Sequence, residues 1–110
     1  MQREKSIEQA LVRAVEARGG RARKFVSPGW RGAPDRIVMM PGGRIIFVEV
    51  KRPGGVLRPL QRRRLRELEV LGFEARVIAS TGDLARFTEE LDTHPTANGI
   101  SPAPIPAPRD

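Results

Sequence analysis

Two apolar runs, Arg36 to Met40 and Ile45 to Val50, are separated by little more than Pro41-Gly42-Gly43. Both are rich in β-branched, aromatic or sulfur-bearing side chains, which suit a strand, and so short a Pro-Gly-Gly connection leaves only a reversal, so the pair is predicted to form a β-hairpin. Alternation then places Ile46, Val48 and Val50 on one face and Phe47, Glu49 and Lys51 on the other. With a three-residue loop, Met40 faces Arg44 and Asp35 faces Glu49. Opposed residues lie ~4.5 to 5.5 Å apart at Cα, where like charges destabilise the pair unless something neutralises them. A hard divalent cation is the simplest neutraliser, because carboxylate oxygens suit Mg²⁺ or Mn²⁺. A two-residue loop would put the acids on opposite faces, and a bulge would shift the pairing.

Composition narrows the function classes. A chain of 110 residues with 39% hydrophobic content has material for one small domain with a modest core, which dimerisation would support. With no cysteine, neither disulfides nor a thiolate zinc site is available. The single histidine, His94, lies beyond the last apolar pattern, which argues against histidine-based catalysis. No apolar run approaches the ~20 residues of a membrane span, and residues 1–20 are amphipathic rather than signal-like, so the expectation is a soluble, cytoplasmic protein. The net charge is +7; setting aside Asp92, Arg109 and Asp110 leaves 19 cations against 11 acids in residues 1–91. The excess belongs to the folded part and points to a polyanionic partner.

Along the chain, Ser6-Ile7-Glu8-Gln9 fits a capping box, with Ser6 as N-cap of a first helix that Gly19-Gly20 ends. Glu8 borders the stripe formed by Leu11, Val12 and Val15; it is either a first-turn acid favouring the helix dipole or a metal ligand. Ala22 to Val26 is a short strand, followed by a turn-rich loop from Ser27 to Pro34. Trp30 and Arg31 on that loop would stack on a base or sugar, unless Trp30 folds over the core. Pro59 opens a second helix, from Leu60 to Gly72, on which Arg58, Arg62, Arg63, Arg64 and Arg66 crowd with few acids, favouring phosphate contact for part of the cluster. Phe73 to Ala79 alternates as a fourth strand, parallel to the Glu49 strand because a helix intervenes. Ser80 or Thr81 caps a last helix that turns Leu84, Phe87 and Leu91 to the sheet. From Asp92 onward prolines dominate, so 92–110 is expected to be a tail without chemistry.

The order helix, three strands, helix, strand, helix, with Pro34-Asp35 entering the second strand and Glu49-Val50-Lys51 leaving the third, resembles the PD-(D/E)XK nuclease superfamily. With Glu8 on the first helix, Gly32-Ala33-Pro34-Asp35 and Gln61 on the following helix, residues 1–91 are similar to the VRR-NUC family, the virus-type replication-repair nucleases. That resemblance implies an α/β restriction-endonuclease-like αβββαβ core with a mixed four-stranded sheet. It also implies Mg²⁺ or Mn²⁺ held by Glu8, Asp35, Glu49 and the Val50 carbonyl, and places Gln61 where it would hydrogen-bond water or Lys51. Stand-alone members resemble Holliday-junction resolvases, homodimers acting on branched DNA in DNA repair. The family's aliphatic residue after the motif aspartate is replaced here by Arg36.

Residue chemistry points the same way. Phosphodiester hydrolysis needs an activated water and neutralisation of an extra negative charge, which carboxylate-bound cations supply. Lys51, on the Glu49 face, would orient or deprotonate the water or stabilise the developing charge. The expectation is therefore a metal-dependent endodeoxyribonuclease. The alternatives are a basic DNA-binding module with a degenerate site, or a basic assembly protein, which leaves the paired acids unexplained. A plain Glu49–Lys51 ion pair likewise leaves Asp35 and Glu8 unexplained.

Overall fold

The computed structural model describes residues 3–93. Its elements are α1 (Glu4–Ala17), β1 (Arg21–Lys24), β2 (Arg36–Met40), β3 (Arg44–Val50), α2 (Pro59–Val70), β4 (Glu74–Ile78) and α3 (Thr81–Thr93). This is the expected restriction-endonuclease-like order, and the prolines beyond Thr93 lie outside the described residues. The four strands form one sheet in the order β1-β2-β3-β4. β1, β2 and β3 run antiparallel and β4 joins β3 in parallel, as a helical connection requires.

The hairpin turn decides the register. Gly42 and Gly43 adopt φ of 90° and 86°, backbone that side-chain-bearing residues rarely tolerate, and the Gly43 N–H closes on the Met40 carbonyl at 3.2 Å. Met40 accordingly pairs with Arg44 and Arg36 with Val48. One face of the sheet carries Val38, Ile46, Val48, Val50 and Ile78, which pack with Ile7, Leu11 and Val15 of α1 and Leu84, Phe87 and Leu91 of α3 into one buried cluster. The other face buries Phe47 and Ala75, with Leu65 and Leu68 of α2 buried above them. Four aromatic rings step across this second face edge-on, Trp30 to Phe25 to Phe47 to Phe73, with centroids 5.4 to 6.3 Å apart.

Most element boundaries shift by one residue from the sequence reading, and two differ by more. α1 starts at Glu4 with Arg3 as N-cap and no side-chain cap, so Ser6 lies inside the helix. Nothing in Glu4-Lys5 opposes helix, and Glu4 places its negative charge in the first turn, where the unpaired N–H groups favour it. β1 ends at Lys24, two residues short of Val26, because Phe25 is the last residue whose N–H finds the opposite chain, at the Asp35 carbonyl. At the other end, Ser80 caps α3 as expected: its hydroxyl accepts the Asp83 N–H at 3.0 Å, while the Asp83 carboxylate accepts the Ala79 N–H at 2.9 Å.

Candidate active site

Buried Pro34 wedges the loop against the sheet, and Asp35 follows immediately at the mouth of β2. The backbone of Asp35 is held from β1 by the Phe25 N–H, 2.8 Å from its carbonyl. On the β3 side the Asp35 carboxylate accepts the Val50 N–H at 3.1 Å, and the Asp35 N–H lies near enough to the Glu49 carboxylate to favour its charged form. Extending the hairpin pairing by one residue beyond Arg36 and Val48 sets Asp35 across from Glu49 on the face that carries α2. Among the described residues Glu49 is the one charged residue buried as a whole, 4% exposed.

Two acids so placed resist ionisation. Burial pushes the Glu49 carboxyl up to about 7, the Asp35 charge adds to this, and Lys51 and the Asp35 N–H oppose it. Burial likewise raises Asp35 to about 6 against the pull of the Val50 N–H, with Glu8 and Glu4 raising it further and Arg36 opposing. The Lys51 amine lies 3.7 Å from Glu49 Oε2. Gln61 reaches the same oxygen from α2: its side-chain N–H donates to Glu49 Oε2 at 3.2 Å while its carbonyl accepts the Arg58 N–H at 3.0 Å. The helix start thus uses the amide oxygen and aims the NH₂ group at the acid.

The first-helix acid is divided between two residues. Glu8 is close enough to raise Asp35, but its carboxylate is also 3.6 Å from the Arg36 guanidinium on the opposite face of the sheet. Glu4, one turn earlier, raises both Asp35 and Glu49. Sequence reasoning missed Glu4 because the helix was started too late; its offset of one turn from Glu8 was the available signal. Among the described residues no three Asp, Glu, His or Cys side chains form a ready-made metal cluster.

All of these residues fall within a match to the VRR-NUC domain over residues 2–82. The chain belongs to the VRR-NUC family. A protein named "Putative nuclease p44" from Acyrthosiphon pisum secondary endosymbiont phage 1 is 53% identical over 78 residues, covering 71% of this chain and 84% of its own. A solved VRR_NUC domain superposes with a TM-score of 0.71 at 30% identity, covering 86% of this chain and 98% of that one. The restriction-endonuclease-like α/β fold expected from the sequence is therefore the family's, and the family is one of nucleases.

Other residues of this VRR-NUC domain sit further out. Trp30 is half-buried, edge-on to Phe25, with the Arg64 guanidinium 5.7 Å from its ring centroid. Arg64 is fully engaged, donating to the Arg31 carbonyl at 2.8 Å and pairing with Glu67 at 3.0 Å. Gly32 rests on Leu60 so closely that a Cβ would meet the Leu60 side chain at 2.8 Å, so the loop is clamped to α2. Arg31, Arg58, Arg62 and Arg63 are exposed around it. Among the described residues no helix is long and apolar enough to cross a membrane.

Proposed function

We propose that this VRR-NUC domain is a divalent-metal-dependent DNA endonuclease that hydrolyses phosphodiester bonds and acts as a homodimer on branched DNA of the Holliday-junction type. The observation that carries this reading is the Asp35–Glu49 pair: a half-buried and a buried carboxyl side by side, both raised well above the usual carboxylate range. Such a pair is costly as two anions and fits a hard dication. The donor set is all oxygen, which suits Mg²⁺ or Mn²⁺, and Mg²⁺ is commonly bound by one or two carboxylates with substrate phosphate and water completing its shell.

Asp35, Glu49 and the Val50 carbonyl would hold the ion, with a first-helix acid completing the set. Glu8 and Glu4 are the candidates for that place: both act on Asp35, Glu8 the more strongly but shared with Arg36, and Glu4 also acts on Glu49. When bound, the ion supplies a water of lowered pKa and a positive charge for the phosphorane. Lys51 would position the attacking water and stabilise the growing charge, and Gln61 would hold Glu49 Oε2 in place. Trp30, Arg31, Arg58, Arg62 and Arg63 would border the DNA path from the loop and α2.

The dimer reading is supported by an exposed apolar row at the end of the sheet away from the acids. Met39 pairs with Ile45, and Phe73 lies one residue before the Ile46–Glu74 pairing; Leu71 and Val70 continue the row at the end of α2. A second copy seated there would leave both acidic sites and their basic borders open.

The test is incubation with labelled four-way junction, flap and linear duplex DNA in Mg²⁺, Mn²⁺ or EDTA. Metal-dependent cutting of the junction that is lost in Asp35→Asn supports the proposal. Cutting that survives Asp35→Asn and Glu49→Gln overturns it, and binding without cutting by wild type leaves a DNA-binding module instead.

A further inference from the structure

The sheet carries a second pair of like charges, of opposite sign, on the face opposite Asp35 and Glu49. Lys24 of β1 and Arg36 of β2 are directly paired, and like charges so opposed destabilise unless an ion of the other sign lies between or above them. A cleft of about 480 Å³ opens over this pair, roofed by α1. Lys5 and Arg13, two helical steps of four residues apart, line it from above, and Glu8 is its one acid. Four cations therefore face one carboxylate.

That carboxylate does not satisfy them. Glu8 sits 3.6 Å from Arg36 Nε, which is buried and has no hydrogen-bond acceptor, and the other Arg36 contact, to the Ala22 carbonyl, is 3.5 Å long. Lys5, Arg13 and Lys24 make no ion pair or side-chain hydrogen bond with the described residues. Charged side chains elsewhere on the protein pair closely, as in Arg44–Glu74 at 2.8 Å and Arg76–Glu90 at 2.9 Å. The cleft is thus an uncompensated positive site, and Arg36 is the residue next to Asp35 in the chain.

We propose that the Lys5–Arg13–Lys24–Arg36 cleft is a phosphate subsite that takes an internal phosphodiester of the bound DNA strand, flanking the one to be cut. This rests on the nuclease reading and adds a named anchor to it. Arg36 supplies a half-buried charge with a buried Nε beneath the cleft, and the two lysines and Arg13 supply exposed donors for the non-bridging oxygens. Such a contact sets register along the strand without reading bases.

The test uses the double variant Lys24→Ala, Arg13→Ala, because both side chains are exposed and unpaired and their loss leaves the core intact. Binding of the full chain to labelled junction and duplex is measured in EDTA across a salt series. The expected result is affinity weaker on the order of tenfold at low salt and a log–log salt slope shallower by about 2. DNA carrying one neutral methylphosphonate at successive positions should show a penalty at one internal position with wild type that vanishes with the double variant. Wild-type cutting together with equal affinity, slope and methylphosphonate profile in the variant would overturn the subsite alone. A penalty seen only at a phosphorylated strand end would overturn the internal assignment. Absence of cutting by wild type with any DNA and metal would bring down the nuclease reading itself.

Discussion

Asp35 and Glu49 face each other across the start of the hairpin, and the Asp35 carboxylate accepts the N–H of Val50, the neighbour of Glu49, at 3.1 Å. Their side chains repel while the backbone beside Glu49 holds Asp35 in place. The pair is therefore fixed by the fold yet unfavourable in charge, a combination that a bound cation would relieve.

Neutralising either acid should stabilise the metal-free protein. Asp35→Asn retains an oxygen for the Val50 N–H while removing the repulsion, so Tm at pH 8 in EDTA is expected to rise by several degrees, about 1 kcal/mol in a domain of this size. The same variant should lose the rise in Tm that millimolar Mn²⁺ gives wild type. Thermal denaturation with and without the ion reads both effects.

The raised carboxyls also set a pH dependence. Well below pH 3.8 both are protonated in folded and unfolded chains and contribute nothing. As pH rises toward about 6 for Asp35 and about 7 for Glu49, the unfolded chain ionises first, so stability falls across this window. Urea unfolding in EDTA from pH 4 to 8 should show it, superimposed on the general acid destabilisation of the surface ion pairs, and Glu49→Gln should flatten the decline between pH 5 and 7.

Gln61 separates its two bonds under substitution. Gln61→Ala removes both the acceptor for the Arg58 N–H and the donor to Glu49, and should cost about 1 kcal/mol of stability along with activity. Gln61→Glu keeps an acceptor for Arg58 but adds a third carboxyl beside Glu49, so its stability should match wild type at pH 5 and fall below it at pH 8. Urea midpoints at the two pH values distinguish the variants.

Glu4 and Glu8 give opposite expectations. Glu4→Gln should weaken Mn²⁺ binding by roughly tenfold, because its charge acts on both Asp35 and Glu49. Glu8→Gln should act mainly by releasing Arg36, with a smaller change in Mn²⁺ affinity and a tighter grip on DNA. Calorimetric Mn²⁺ titration of the two variants decides which helical turn supplies the third acid.

For the dimer, Phe73→Glu places a charge in the exposed apolar row and should shift the protein to monomer in sedimentation. Phe73 also meets Phe47 edge-on at 5.7 Å, so Leu71→Glu, 73% exposed in wild type, serves as the variant that leaves the core untouched. A wild-type monomer at working concentration would end the dimer proposal.

The hairpin was legible in the sequence because every signal for it is local: β-branched alternation on each side, and a Pro-Gly-Gly turn whose conformation leaves one pairing. The same holds for Gln61 at the start of α2 and for the Glu49–Lys51 neighbours, which depend on residues a few positions apart. The parallel β4 was legible for another reason, because a helical crossover between two strands of one sheet makes them parallel. The late start assigned to α1 arose because Ser6-x-x-Gln9 satisfies the capping pattern in text, whereas the folded chain extends the helix one turn further and leaves Ser6 exposed.

By itself, then, the order of residues determined the strand pairing, the shared face of Asp35 and Glu49, and the basic excess, since periodicity and turn chemistry act over short stretches of chain. Only the tertiary structure decided that two turns of α1, at Glu4 and Glu8, bear on the acids, that Arg36 draws Glu8 aside, that Trp30 leans on Phe25 and Arg64, and that Lys24 and Arg36 share an uncompensated cleft. Those outcomes depend on the packing of α1 and α2 against opposite faces of one sheet, where residues far apart in the chain meet at distances that no local pattern encodes.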